Sequence, residues 1–257
     1  MNVTEAQLLS LTASFIWPLI RIGAMFIAAP LFSMNGVPAR VRLLLSVALT
    51  LVIMPLLPPL PALEMFSFQG FKVAAWQVLI GLSSGFIIQM VFAAVVFGGQ
   101  GIAYSMGLGF ASMVDPQNGQ QVPVVSQLYV ITGTLIFLSL DGHLLLIKML
   151  LDSFATLPIA DTGLESSDLW AIVAWSSRIF AGGLLLALPV IASLLLVNIS
   201  FGVATRAAPQ LNIFSVGFPV TLFLGLILIW ITLPNVLDQF EGILVEAYEL
   251  LEQVLRL

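Results

Sequence analysis

Hydrophobic residues fall in long blocks along this 257-residue chain, separated by prolines, glycines and isolated charges. Following those breaks gives six apolar regions, at residues 8–34, 43–57, 73–97, 122–140, 169–205 and 213–234. Five of them can supply most of the ~20 residues that a helix needs to cross a bilayer. The second falls short, because Pro55, Pro58, Pro59 and Pro61 crowd its end and proline breaks the helical ladder. The fifth is longer than one crossing and is interrupted by Arg178, Gly182-Gly183 and Pro189. It reads either as one kinked helix or as a helix preceded by a surface segment. Beyond residue 234 the pattern changes. Val236, Phe240, Ile243, Leu244, Ala247, Leu250, Leu251 and Val254 recur at helical spacing, with Asp238, Glu241, Glu249 and Glu252 on other faces. Anionic headgroups favour Lys and Arg, so this acidic amphipathic segment suits a protein partner or the rest of its own subunit.

Composition turns the block pattern into a fold class. The chain is 60% hydrophobic and 8% charged, with a mean hydropathy of +1.12, outside the range of soluble domains. The expectation is an all-α membrane protein of about six apolar helical regions, several of them kinked. Cysteine is absent and His143 is the single histidine, which leaves no cysteine chemistry and no multi-histidine zinc site. A net charge of −5 argues against nucleic acid, which requires a basic face. The first residues lack the basic start of a secretory signal, so the first block is expected to be retained. Arg40, Arg42 and Arg206 place their loops on the cytoplasmic side. Counting from there gives six crossings, with the N-terminus, the acidic loop at 141–168 and the C-terminus outside.

Few residues offer chemistry. Gly81-Leu82-Ser83-Ser84-Gly85 matches the serine-hydrolase elbow, but it sits in an apolar helix with no preceding strand, so close helix packing explains it better. A Ser83–His143 pair would need a tertiary approach. Gly107-Leu108-Gly109 resembles part of a dinucleotide loop, yet Ser112 stands where the third glycine belongs. If helical, Ala103, Gly107 and Ala111 would form a smooth packing strip. Arg21, within the first block and shortly after Pro18, must face a partner or water, because a central arginine costs ~2.5 kcal/mol or more on insertion scales. It could line a transport path, cap carbonyls freed by Pro18, or pair with a carboxylate. Lys148 and Asp152 are spaced for a local ion pair. Asp141-Gly142-His143 could handle protons or simply hydrogen-bond. No ionised side chain occurs between Lys72 and Asp115, and the far end of that stretch is rich in glycine. Such a segment bends easily. Irregular backbone at membrane depth must be buried in protein or line a cavity.

The run Met106-Gly107-Leu108-Gly109-Phe110-Ala111-Ser112-Met113-Val114-Asp115-Pro116 resembles the signature of the FliR family, flagellar members of the type III secretion export gate. Val37-Pro38-Ala39-Arg40-Val41-Arg42, Gly142-His143-Leu144, Arg206-Ala207-Ala208-Pro209-Gln210-Leu211-Asn212-Ile213-Phe214 and Gly217-Phe218-Pro219 extend the likeness over essentially the whole chain. Asp141 departs from it, since the family commonly has asparagine there. Injectisome relatives share the architecture. The resemblance implies a FliP-like part at 1–168 and a FliQ-like hairpin with its amphipathic helix at 169–257. It implies assembly with FliP-like and FliQ-like subunits, beside FlhB-like and FlhA-like components, into a helical channel of the bacterial inner membrane. Unfolded flagellar proteins would be its substrate. It also implies that the segment from Gly107 plugs the pore, with Met106, Phe110 and Met113 as apolar bulk, Gly107 and Gly109 as bends, and Asp115-Pro116 as a turn. Arg21, His143 and Arg206 are expected to be structural polar residues. No catalytic residue, metal or cofactor is implied. The alternative is a small-solute secondary transporter, for which broken helices and Arg21 would serve.

Overall fold

A computed structural model describes residues 5–34, 36–57, 67–109, 124–208 and 216–257. Among them are nine α-helices and no strand. They are α1 (Glu5–Ala28), α2 (Pro30–Ser33), α3 (Ala39–Ile53), α4 (Phe68–Ser105), α5 (Val124–Ser139), α6 (Gly142–Thr156), α7 (Ser166–Trp175), α8 (Ser177–Ala207) and α9 (Phe218–Leu255), with a 3₁₀ turn at Met54–Leu56 after α3. Stretches 39–56, 68–105, 166–207 and 218–255 are each long and apolar enough to cross a membrane. The broken pair α5 and α6 makes five if it counts as one span. The all-α membrane architecture is thus the one expected, with four or five such stretches among the described residues. The 24-residue α1 is apolar over Thr12–Ala28, its fully described part.

Several boundaries differ from the sequence reading. The acidic loop at 141–168 holds a helix, α6, whose residues Leu146, Met149, Leu150, Ser153 and Phe154 are buried. Its start is set by Asp141 at φ 53°, a left-handed conformation that Asp and Asn tolerate better than other side chains. The second apolar region survives Pro55, because the 3₁₀ turn carries it on to Leu56. Pro234 does not end the sixth, so the amphipathic segment continues it as a single 38-residue helix, α9. Its apolar face is buried at Val236, Phe240, Leu244, Ala247, Leu251 and Val254, while Asp238, Glu241, Glu249 and Glu252 stay exposed. Lys148 and Asp152 are both exposed and do not form the expected pair.

The chain divides into two compact units. The first takes Met1–Met90, Phe137–Trp175 and Val245–Leu257. Ala13 and Trp17 of α1, Val73 of α4, Phe154 of α6 and Ile159 form one core cluster there. The Tyr248 hydroxyl donates to the Gly142 carbonyl (2.7 Å) and Thr156 Oγ1 to the Leu255 carbonyl (2.6 Å), tying the end of α9 to both ends of α6. Trp76 Nε1 donates to the Asp161 carbonyl (3.1 Å), and Arg256 pairs with Glu165 at 2.8 Å. The second unit takes Val91–Ile136 and Ser176–Leu244. Its core includes Phe92 edge-on to Phe240, with ring centroids 5.5 Å apart, and the buried Ile102, Met106, Leu186, Val190 and Leu194.

Candidate functional site

Glycines in the second half of α4 behave differently from one another. Gly98, Gly99 and Gly101 lie inside the helix, which runs unbroken to Ser105. A Cβ on Gly98 would stand 2.7 Å from the Gly183 carbonyl oxygen of α8, and one on Gly183 would stand 2.5 Å from the Ala94 oxygen of α4. A Cβ on Gly99 would fall 2.7 Å from the Ser126 Cα of α5. Each glycine lets two backbones approach closer than any side chain allows. Residues 98–101 are therefore a packing seam rather than a deformable stretch.

The helix is capped at Gly107. The Gly107 N–H donates to the Tyr104 carbonyl and the Leu108 N–H to the Ala103 carbonyl, both at 3.0 Å, and Gly107 has φ +83°. These two bonds with a left-handed residue between them are a Schellman C-cap, which satisfies carbonyls left open at a helix end and selects glycine. Gly107 therefore leaves the helix and cannot belong to a helical strip with Ala103. Met106 is buried against α9, where a Cβ on Gly225 would meet its Cγ at 2.6 Å. A Cβ on Gly107 would meet the Phe218 ring at 3.1 Å, and one on Gly109 the Tyr104 ring at 2.7 Å. Two signature runs, at 106–109 and 217–219, thus meet in the second unit. Phe110, Met113, Asp115 and Pro116 lie outside the described residues, as do Ala111 and positions 209–214 of the fourth run.

A second polar centre lies in the first unit. Arg21 is 0% exposed. Its Nε donates to Gln77 Oε1 of α4 (2.8 Å), Nη1 to the carbonyl (3.1 Å) and Oγ (3.0 Å) of Ser153, and Nη2 to the Leu157 carbonyl (2.8 Å). The guanidinium carbon sits 4.2 Å from the centroid of the Phe154 ring. Arg21 neither caps a carbonyl freed by Pro18 nor meets a carboxylate. It caps the C-terminus of α6, where unsatisfied carbonyls and the helix dipole both favour a cation. Sequence reasoning placed Arg21 but missed Gln77, Ser153 and Leu157. Nothing local marks them, since the bonds span 56 to 136 positions of chain.

The remaining candidates stay apart from chemistry. Cβ atoms on Gly81 and Gly85 would strike backbone atoms of α1, the first at the Arg21 carbonyl oxygen and the second 2.7 Å from the Met25 carbonyl oxygen. Ser84 Oγ donates to the Ile80 carbonyl of its own helix (2.8 Å). The apparent hydrolase elbow is a helix-packing groove. His143 occupies the first turn of α6 with Nδ1 enclosed and without a hydrogen-bond partner, so no serine activates it or is activated by it through that atom. Arg206 is exposed in the last turn of α8, the end at which a cation complements the dipole. Among the described residues no group of acidic or histidine side chains could hold a metal ion.

Taken together, helix seams closed by glycine, a buried arginine clamp and a glycine cap after α4 define a multi-helix membrane protein held by close helix packing. The family model for bacterial export proteins, family 1, matches residues 12–247. The flagellar biosynthetic protein FliR of Escherichia coli K12 is 40% identical over 255 residues, 99% of this chain and 97% of that protein. That of Pectobacterium carotovorum is 40% identical over 95% of this chain and 93% of its own length, and that of Bacillus subtilis 31% identical over 87% of each. The chain belongs to the FliR family of bacterial export proteins.

Proposed function

We propose that the chain is a structural and gating subunit of the flagellar type III export channel in the bacterial inner membrane, passing unfolded flagellar proteins out of the cytoplasm. The observation that carries this reading is similarity over nearly the full length to proteins named for flagellar biosynthesis and export. In this reading residues 1–168 form the FliP-like part and 169–257 the FliQ-like hairpin. FliP-like and FliQ-like subunits complete the channel, with FlhB-like and FlhA-like components beside it.

The stopper is the segment that follows the Gly107 cap. Phe110 and Met113 supply soft apolar bulk that excludes water and ions, and Asp115-Pro116 turns the chain back. The geometry supports an anchored rather than free root for it, because Met106 is buried and Gly107 rests on Phe218. The solute-transporter reading needed Arg21 to line a path, and a fully buried guanidinium with four protein hydrogen bonds gives it no support.

Two measurements test the proposal. A tagged chain in mild detergent should retain FliP-like and FliQ-like subunits, and its purification alone would remove the assembly reading. Deleting residues 107–120, or exchanging Phe110 and Met113 for alanine where the deletion fails to assemble, should raise ion conductance of the reconstituted gate. Unchanged conductance in an assembled variant would remove the stopper.

A further inference from the structure

The helix α3 is built inside out. Arg42, Ser46, Thr50 and Ile53 repeat at helical spacing along its enclosed stripe, with Ser46 and Thr50 fully buried and bonded to carbonyls of their own helix. Every other face is apolar and open, with Leu43 60%, Leu44 68%, Leu51 58% and Val52 67% exposed. Stretch 39–56 has the hydropathy of a membrane span and only 17% of it is buried. Polar-in and apolar-out is the pattern of a helix whose outer surface meets hydrocarbon.

At the N-terminal end of that open surface stand Arg40, exposed, and Arg42, whose Nε is enclosed without a hydrogen-bond partner. Neither forms an ion pair among the described residues, and no acidic residue occurs in sequence between Glu5 and Glu64. Two unpaired guanidinium groups stand at the end of an open leucine surface, the arrangement that suits a phosphate headgroup above an acyl chain. Arginine suits that ligand because its planar fork takes two phosphate oxygens at once.

We propose that Arg40 and Arg42, with the exposed leucines of α3, form a binding site for an anionic phospholipid, phosphate on the arginines and acyl chain along Leu43, Leu44 and Leu51. The site does not depend on the stopper reading, since it lies in the first unit and its test measures lipid. The chain has no cysteine, so one introduced cysteine is the single site at which this chain takes a spin label. The full chain, in its native complex, is placed in phosphatidylcholine bilayers containing a minor fraction of phosphatidylglycerol. A label at Leu43→Cys should report phosphatidylglycerol enriched over its bulk fraction, and one at Leu196→Cys, 68% exposed on α8, should report the bulk value. Each surface arginine contributes roughly fivefold to anionic-lipid association, so Arg40→Gln with Arg42→Gln should lower the enrichment constant about twenty-five-fold. Arg206→Gln should leave it unchanged. Equal enrichment at both labels, an equal loss in the Arg206 variant, or displacement of the lipid by inorganic phosphate would overturn the proposal. So would exclusion of all lipid from position 43, which would give this face to a protein neighbour. The label comparison uses the intact arginines and holds even if the double variant does not assemble.

Discussion

Replacing Arg21 by lysine should damage the first unit more than replacing it by methionine. The guanidinium reaches Gln77, Ser153 and Leu157 at 2.8–3.1 Å from three nitrogens held in one plane. A lysine ammonium is a single point on a flexible stem and cannot span all three partners. Losing one or two charge-assisted bonds costs about 1.5–3 kcal/mol each. The weakened contact with the Phe154 face adds ~0.5–2 kcal/mol, and the charge still has to be held away from water. The loss for Arg21→Lys is then about 2–8 kcal/mol. Methionine orphans the Leu157 carbonyl and Gln77 Oε1, at about 1–3 kcal/mol each. It also removes a buried cation that has no carboxylate, and that desolvation penalty is itself several kcal/mol. The offset places Arg21→Met nearer to the parent than Arg21→Lys. Thermal unfolding in detergent, followed by tryptophan fluorescence, reads the order directly. A chain of this length shifts by roughly 2–4 °C per kcal/mol, so the lysine variant should melt at least about 4 °C low. A lysine variant as stable as the parent, or more stable than the methionine variant, would refute the claim that the planar fork makes the clamp.

Gly183→Val places a branched side chain against the Ala94 carbonyl, which a Cβ would approach at 2.5 Å, so α4 and α8 must separate. Loss of the monodisperse peak in size-exclusion chromatography checks it. Gly107→Ala forces a side chain into φ +83° and against Phe218, which should cost ~1–2 kcal/mol in backbone alone. Gly107→Asn should cost less, and the two melting temperatures should differ in that order. Asp141→Asn should be within ~0.5 kcal/mol of the parent because both residues tolerate φ 53°. Asp141→Val should fall clearly below it in the same assay.

Helix existence and the all-α membrane class were legible because apolar blocks long enough to span are a strong signal that one sequence carries by itself. α6 was not, because its charged residues Asp141, Lys148 and Asp152 dominate a local reading while its buried residues sit on a stripe between them. The stripe becomes visible only once something covers it: Trp17 and Val73 pack with Phe154, and Arg21 closes its end. The same reason hid the partners of Arg21. Sequence tells that a buried arginine needs acceptors, and it does not tell that they are neutral carbonyls of a distant helix end.

Glycine illustrates the limit most clearly, since one residue type carries two opposite meanings within ten positions, at Gly98 inside α4 and at Gly107 just past its end. Helix propensity counts each glycine as a loss of about 1 kcal/mol relative to alanine, whatever lies opposite. At Gly98 that loss is offset by a neighbouring backbone, for Gly183 brings α8 into contact that alanine would forbid. Rigidity follows from the missing side chain. At Gly107 no second helix is needed, because the left-handed cap is a local event that glycine favours by itself. The helix therefore ends at Gly107 rather than at Gly98. Met106 against Gly225 and Gly107 against Phe218 fix the residues on either side of that cap, so the chain leaves α4 from a packed position on α9.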